Sequence, residues 1–348
     1  MGDRSGFSNG AGASCFWIYK PEKWLPLLYR PGVFASFLAR QRLLRALRFL
    51  RSKGCKKIIL YLWRPEFESA LDLIPNDLSC YHIDDEYSFS DIEQPMDPRE
   101  ERLISRVGQV FIHSKTLFEK KAYLNARTLL IPNGVNYDAY ASEWDEPEDL
   151  RPIPHPRVGY TGVIKKQLDW PLLLELAEAR PEWSFVFVGP NAPHQEIVSY
   201  IEKLSRKKNV HFLGEKPAEY LPAYTRHFDV CIMPYRRNDY TKYIYPLKLH
   251  EYLASGKPVI GTPIPALEDF RSVVDIADSV PGWSCAIAEA LSPAAKGMDQ
   301  CQARQAIARQ HDWNLLVWRI AETLAERLGQ EVAKRMREAH QFQVKDPF

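Results

Sequence analysis

Strand-like and helical patterns alternate along most of this chain, and that order restricts the fold more than any other feature of the sequence. Short β-branched or aromatic runs, each followed by a stretch of helical period, argue for parallel sheets covered by helices on both faces. In the first half, residues 57–63, 78–83, 109–113 and 128–131 read as strands, with helices over 65–73, 98–105 and 114–124. Ser114 stands where its hydroxyl caps the last of these. A second series starts at Arg157, with strands over 157–161, 184–188, 210–213, 230–233 and 258–261. Helices over 169–179, 194–205, 218–227 and 246–255 separate them. Between the series, 141–156 is too rich in proline and acid for a regular element, and a domain boundary is expected there.

Length agrees with two units, because 348 residues exceed the roughly 250–300 at which a single core stops growing. The expected division is α/β: a Rossmann-like domain over 1–150, a second over 157–310, and a helical segment over 311–348 that returns toward the first domain. Asp312 is placed to cap a long helix running through Gln330. Hydrophobic residues make up 45% and charged residues 26%, as in a soluble globular protein. A net charge of +2 gives no reason to expect nucleic acid as a partner. The six cysteines show no CxxC or metal-ligand spacing, so reduced intracellular thiols are expected. No apolar run reaches the roughly 18–20 residues needed to span a bilayer, and residues 1–14 lack the apolar core of a secretion signal. A cytoplasmic protein is expected.

In a doubly wound sheet the chemistry lies in loops at the carboxyl ends of the strands. There the run Tyr245-Pro-Leu-Lys-Leu-His-Glu-Tyr-Leu-Ala-Ser-Gly-Lys-Pro-Val259 begins a helix, with Pro246 suited to its first turn. Free N–H groups and the positive end of the helix dipole favour phosphate, and Lys248 adds a cation beside them. One turn on, Glu251 can accept hydrogen bonds from vicinal ribose hydroxyls. The same spacing also describes an amphipathic helix burying Leu247, Leu249 and Leu253 with Lys248 and Glu251 solvated.

This run resembles the nucleotide-sugar site of group 1 glycosyltransferases, a retaining class with the GT-B fold of two Rossmann-like domains facing across a cleft. Val158-Gly-Tyr-Thr-Gly-Val163, Phe185-Val-Phe-Val-Gly189, Asn209-Val-His-Phe-Leu-Gly214, Phe228-Asp-Val-Cys-Ile-Met-Pro-Tyr235 and Ile131-Pro-Asn-Gly-Val135 are similar to further elements of that family. The resemblance covers about residues 55–320. It implies a metal-independent retaining transferase with no cofactor, using a UDP- or GDP-type sugar as co-substrate. Gly162 would let the main chain approach the donor phosphate, and Lys165 or Lys166 with Lys248 would neutralise the diphosphate. Gly162, Tyr243, Pro246, Leu247, Lys248, Leu249 and Glu251 form the implied donor-binding set. Where members carry an arginine after the glycine this chain has Val163, and where many carry a first glutamate it has Tyr243.

The acidic run Tyr81-His-Ile-Asp-Asp-Glu-Tyr87 follows an expected strand. Asp84 with Glu86 could hold a divalent cation through oxygen ligands. Alternatively, Asp84 or Asp85 meets the acceptor sugar, or the run is a solvated strand end. His82 and His113 also end strands. Nine basic residues and no acidic one lie from Arg30 to Lys57. Within the basic segment 33–57, a helix from Val33 to Arg51 would set leucines on one arc and arginines on the other. That suits either a membrane surface or packing on the first sheet. Residues 1–13 are polar, glycine-rich and without an expected strand, whereas GT-B acceptor domains begin with one, so the first βα unit is expected to be missing or diverged.

The reading is a glycosyltransferase moving a sugar from a nucleotide diphosphate to a carbohydrate or lipid-linked acceptor in envelope or exopolysaccharide synthesis. It would work in the cytoplasm, peripherally on the inner face of the membrane. The rivals are a catalytically silent glycosyltransferase-like binding subunit and a nucleotide-sugar epimerase.

Overall fold

The computed structural model describes residues 6–9, 17–20, 33–88, 92–192 and 194–345. Two parallel sheets dominate it. The first takes β3 (Ile59–Leu62), β4 (Leu78–Ile83), β5 (Gln109–Ile112) and β6 (Thr128–Leu130), hydrogen-bonded in that order. The second takes β7 (Arg157–Thr161), β8 (Ser184–Val188), β9 (Val210–Phe212), β10 (Val230–Met233), β11 (Val259–Gly261) and β12 (Asp275–Ile276). Its spatial order is β12-β11-β10-β7-β8-β9, so winding reverses at β7. Every residue of β7, β8 and β10 is buried, which follows from helices on both faces and explains why these strands are mostly apolar rather than alternating.

Several expectations are corrected. An antiparallel pair, β1 (Gly6–Asn9) with β2 (Trp17–Lys20), occupies part of the N-terminal stretch where no strand was expected. The 65–73 helix divides into a 3-10 turn Pro65–Phe67 and a helix Ala70–Leu73. Pro246 is the N-cap rather than a first-turn residue, with the helix at Leu247–Ala254. The long C-terminal helix stops at Leu328, because Gly329 at φ +120° breaks it before a second helix, Gln330–Lys345.

Asp312 does cap the Trp313–Leu328 helix, accepting from the Asn314 N–H at 2.7 Å. That helix lays Leu316 and Leu324 against Leu78, Cys80 and Phe111 of the first sheet and Ile131 just after it. The basic helix spans Val33–Ser52. Arg40, Arg45, Arg48 and Arg51 lie outward, but Arg42 is buried, so its arginines do not all share one solvated face. Cys55, Cys80, Cys231, Cys285 and Cys301 are free thiols. Among the described residues no helix is long and apolar enough to cross a membrane.

Candidate functional site

Reversal of winding at β7 makes the loops after β7 and β10 diverge, which leaves a crevice at the carboxyl ends of these strands. Gly162 ends β7 with φ +129°, a conformation that L side chains rarely adopt, and a Cβ there would lie 3.0 Å from Lys248 Nζ. Gly189, at the end of β8, backs this turn so closely that a Cβ would meet the Gly162 carbonyl oxygen at 2.1 Å. Across the crevice, the Leu247–Ala254 helix has no side-chain cap, so its first N–H groups lack an intrahelical acceptor. The buried Tyr252 hydroxyl accepts the Thr161 N–H at 2.8 Å and fixes this helix to the end of β7.

Lys248 therefore sits directly beside the glycine turn, donating to the Tyr235 hydroxyl at 3.3 Å with the Tyr160 ring 5.1 Å away. Burial opposes its charge, but the surrounding tyrosine oxygens and the Glu251 carboxylate outweigh that and raise its pKa. Burial raises the Glu251 carboxyl, while Lys248 and a hydrogen bond from Tyr140 work the other way. Lys165 approaches from the loop after β7. Burial, and then the Lys248 ammonium, lower its pKa. Two ammonium groups near enough to interact, set beside a glycine turn and an uncapped helix start, form a site whose charge an anion would balance.

The model of the family described as Glycosyl transferases group 1 matches residues 155–293, the stretch that builds this crevice. Residues 155–293 are a group 1 glycosyltransferase domain. The chain is 30% identical over 228 residues to the Bacillus subtilis protein TuaH, whose name assigns it to teichuronic acid biosynthesis as a glycosyltransferase. That match covers 62% of this chain but only 56% of TuaH, so the chain spans little more than half of its relative. Sucrose-phosphate synthase of Thermosynechococcus elongatus superposes with a TM-score of 0.65 at 16% identity, over 87% of this chain and 82% of that one. Anabaena HepE, solved in complex with UDP, gives 0.63 at 16% identity, over 86% and 90%. These likenesses establish the GT-B fold.

Not every expected residue of the group 1 domain joins the crevice. Tyr243 turns the other way: only 5% exposed, it enters the core of the first lobe and donates to Glu93 Oε1 at 2.7 Å. Leu249 is fully buried in the core of the second lobe, whereas Leu247 is exposed beside the crevice mouth. Lys166 lines a separate cavity with Arg236 and Tyr240. Tyr140, Gly189 and Tyr252 were not expected in the site. Gly189 was legible as the glycine closing a strand, but nothing near Tyr140 marks it as the partner of Glu251.

The first lobe offers its own strand ends to the crevice. Asp85 lies near Lys165 and His113 and accepts a hydrogen bond from Tyr240 of the group 1 domain. Burial raises its pKa, and the Glu86 N–H, His113 and Lys165 only partly oppose that. Asp84 is tied to the Tyr87 hydroxyl instead. Glu86 is no metal ligand here: its carboxylate is buried between Lys120 Nζ at 2.9 Å and Lys121 Nζ at 3.0 Å. His82 hydrogen-bonds Tyr61 at 2.7 Å and stacks on Trp63, and burial lowers its pKa to about 4. His113 is buried with Nδ1 3.0 Å from the Ile83 carbonyl, closer to Asp85 than its sequence position reveals.

Proposed function

We propose that this chain transfers a sugar from a nucleotide diphosphate to a carbohydrate or lipid-linked acceptor, in the synthesis of an envelope or exported polysaccharide. The observation that carries the reading is the convergence of Gly162, Lys165, Lys248 and Glu251 on one crevice. Gly162 and the helix start receive the diphosphate, Lys248 and Lys165 balance its charge, and Glu251 accepts from the ribose hydroxyls. As the glycosidic bond to the donor breaks, negative charge grows on the departing diphosphate. Lysines already fixed there stabilise that charge without reorganisation while the sugar gains oxocarbenium character. Asp85, on the opposite lobe with its pKa raised by burial, faces the acceptor side. The name of TuaH supports the polysaccharide setting, and the UDP complex of HepE supports a nucleotide donor.

Retention of configuration and independence of metal belong to the same proposal, as does division of labour between an acceptor lobe over 1–150 and a donor lobe over 157–310. The outward arginines of Val33–Ser52 fit docking on the anionic inner face of a membrane, where each basic residue contributes about 1 kcal/mol. Release of UDP or GDP from a panel of nucleotide sugars, with and without EDTA and with the anomer of the product read by NMR, tests the reading. A chain that binds nucleotide but releases none with any donor would be a silent binding subunit.

A further inference from the structure

Beside the crevice that holds Gly162 and Lys248 lies a separate, polar cavity of about 360 Å3. Its walls come from the same two diverging loops: Lys166 after β7, and Arg236, Arg237, Asn238 and Tyr240 after β10, with Glu196 at one side. Among the described residues of the lining, Arg236 and Arg237 thus stand against one carboxylate. Glu196 pairs only loosely with Arg236, at 3.5 Å, and both are exposed. Arg237 forms no ion pair among the described residues.

These arginines sit on a fixed frame. The Arg236 N–H donates to the Gln167 carbonyl at 2.8 Å, joining the two walls. Thr241, 1% exposed, donates its hydroxyl to the Arg236 carbonyl at 2.6 Å and its N–H to Asn238 Oδ1 at 2.9 Å. Main-chain position is therefore set without using either guanidinium, which leaves both heads to the cavity. Consecutive lysines divide between the two spaces, Lys165 toward Lys248 and Lys166 toward the cavity. Tyr240, on the cavity wall, also reaches Asp85 of the first lobe, so the cavity adjoins the place where two sugars would meet.

A diphosphate is already provided for by Gly162, Lys165 and Lys248. Guanidinium groups match a carboxylate or phosphate by paired, charge-assisted hydrogen bonds. We propose that this cavity receives a carboxylate or phosphate substituent carried by one of the two sugars, so that the enzyme selects a charged sugar over its neutral counterpart. The proposal rests on the donor-site reading above. The charged substituent belongs either to the transferred sugar or to the acceptor.

Binding of UDP, UDP-glucose and UDP-glucuronate to the wild-type protein and to the Arg236→Gln/Arg237→Gln variant tests the first source. The result expected is a preference of about tenfold or more for the glucuronate donor that the variant loses, with affinity for UDP itself unchanged. For the second source, glucose, glucuronate and glucose 6-phosphate are titrated into the UDP-loaded protein. A preference for the charged sugars that disappears in the variant assigns the cavity to the acceptor. Equal weakening of UDP would make the arginines part of the diphosphate site and overturn the proposal, as would the absence of any charge preference in both arms. Failure of the wild-type protein to bind either UDP or GDP would sink the donor-site reading, and this proposal with it.

Discussion

Replacing Tyr243 separates an anchor from a ligand-binding residue. Its hydroxyl donates to Glu93 at 2.7 Å, and the Glu93 side chain is 31% exposed and shared with Lys120 at 2.5 Å. A hydrogen bond to a charged group contributes about 1.5–3 kcal/mol, and the partial exposure of Glu93 puts this one near the lower end. At about 2.1 cal/mol/K per residue, a 348-residue chain melting as a unit has an unfolding entropy of about 0.7 kcal/mol/K. Tyr243→Phe should therefore lower Tm by about 2 °C, and Tyr243→Ala, which empties a buried aromatic site at about 3–5 kcal/mol, by about 4–7 °C. Lys120 first, and then Tyr243, hold the Glu93 carboxyl below its ordinary range. Its contribution is thus complete above the ordinary carboxylate pKa and lost as pH falls through the depressed folded value, so the Tyr243→Phe deficit should shrink below about pH 4. Thermal melts across pH, paired with donor KM and kcat, provide the readout. A Tyr243→Phe variant with unchanged Tm but a tenfold higher donor KM would refute the anchor and return Tyr243 to the donor site.

Other perturbations follow from the same contacts. Gly189→Ala places a Cβ 2.1 Å from the Gly162 carbonyl oxygen at a backbone φ of +149°, so calorimetry should find nucleotide binding weakened at least tenfold. Lys121→Met removes a fully buried ammonium from between Glu86 and Glu100, and should cost about 3–5 kcal/mol in a denaturation series at pH 7. Burial already raises the Glu100 carboxyl, a group whose stabilising protonation is complete below its unfolded pKa and lost as pH rises through the folded one. The Lys121→Met deficit should therefore narrow as pH is lowered from 7 toward 5. Asp85→Asn should leave UDP affinity within about twofold while lowering transfer to the acceptor, as measured by product formation at saturating donor.

Much of this structure was legible because its strands are buried on both faces. Strands β7, β8 and β10 have no solvated face to blur their boundaries, and their observed ends coincide with those expected. The two-residue strand β12 and the Gly6–Asn9 strand offered no such run. That Gly162, Lys248 and Glu251 come together was legible because a glycine turn and a helix start act through backbone geometry that sequence encodes locally. Tyr243 misled for the opposite reason. Its position in the motif points to the donor, but its side chain is directed by Glu93, 150 residues away in sequence. Asp84 and Asp85 are neighbours with similar prospects on paper. Only the fold ties one to Tyr87 and brings the other to Lys165 and Tyr240.

Lys248 and Glu251 are proposed to hold a nucleotide diphosphate beside Gly162. Calorimetric titration of UDP and GDP into the wild-type, Lys248→Met and Glu251→Gln proteins tests it most directly. One nucleotide should bind the wild type, and each variant should weaken it about tenfold or more, the loss of one charge-assisted contact. Binding of neither nucleotide to the wild type, or equal binding to all three proteins, would contradict it.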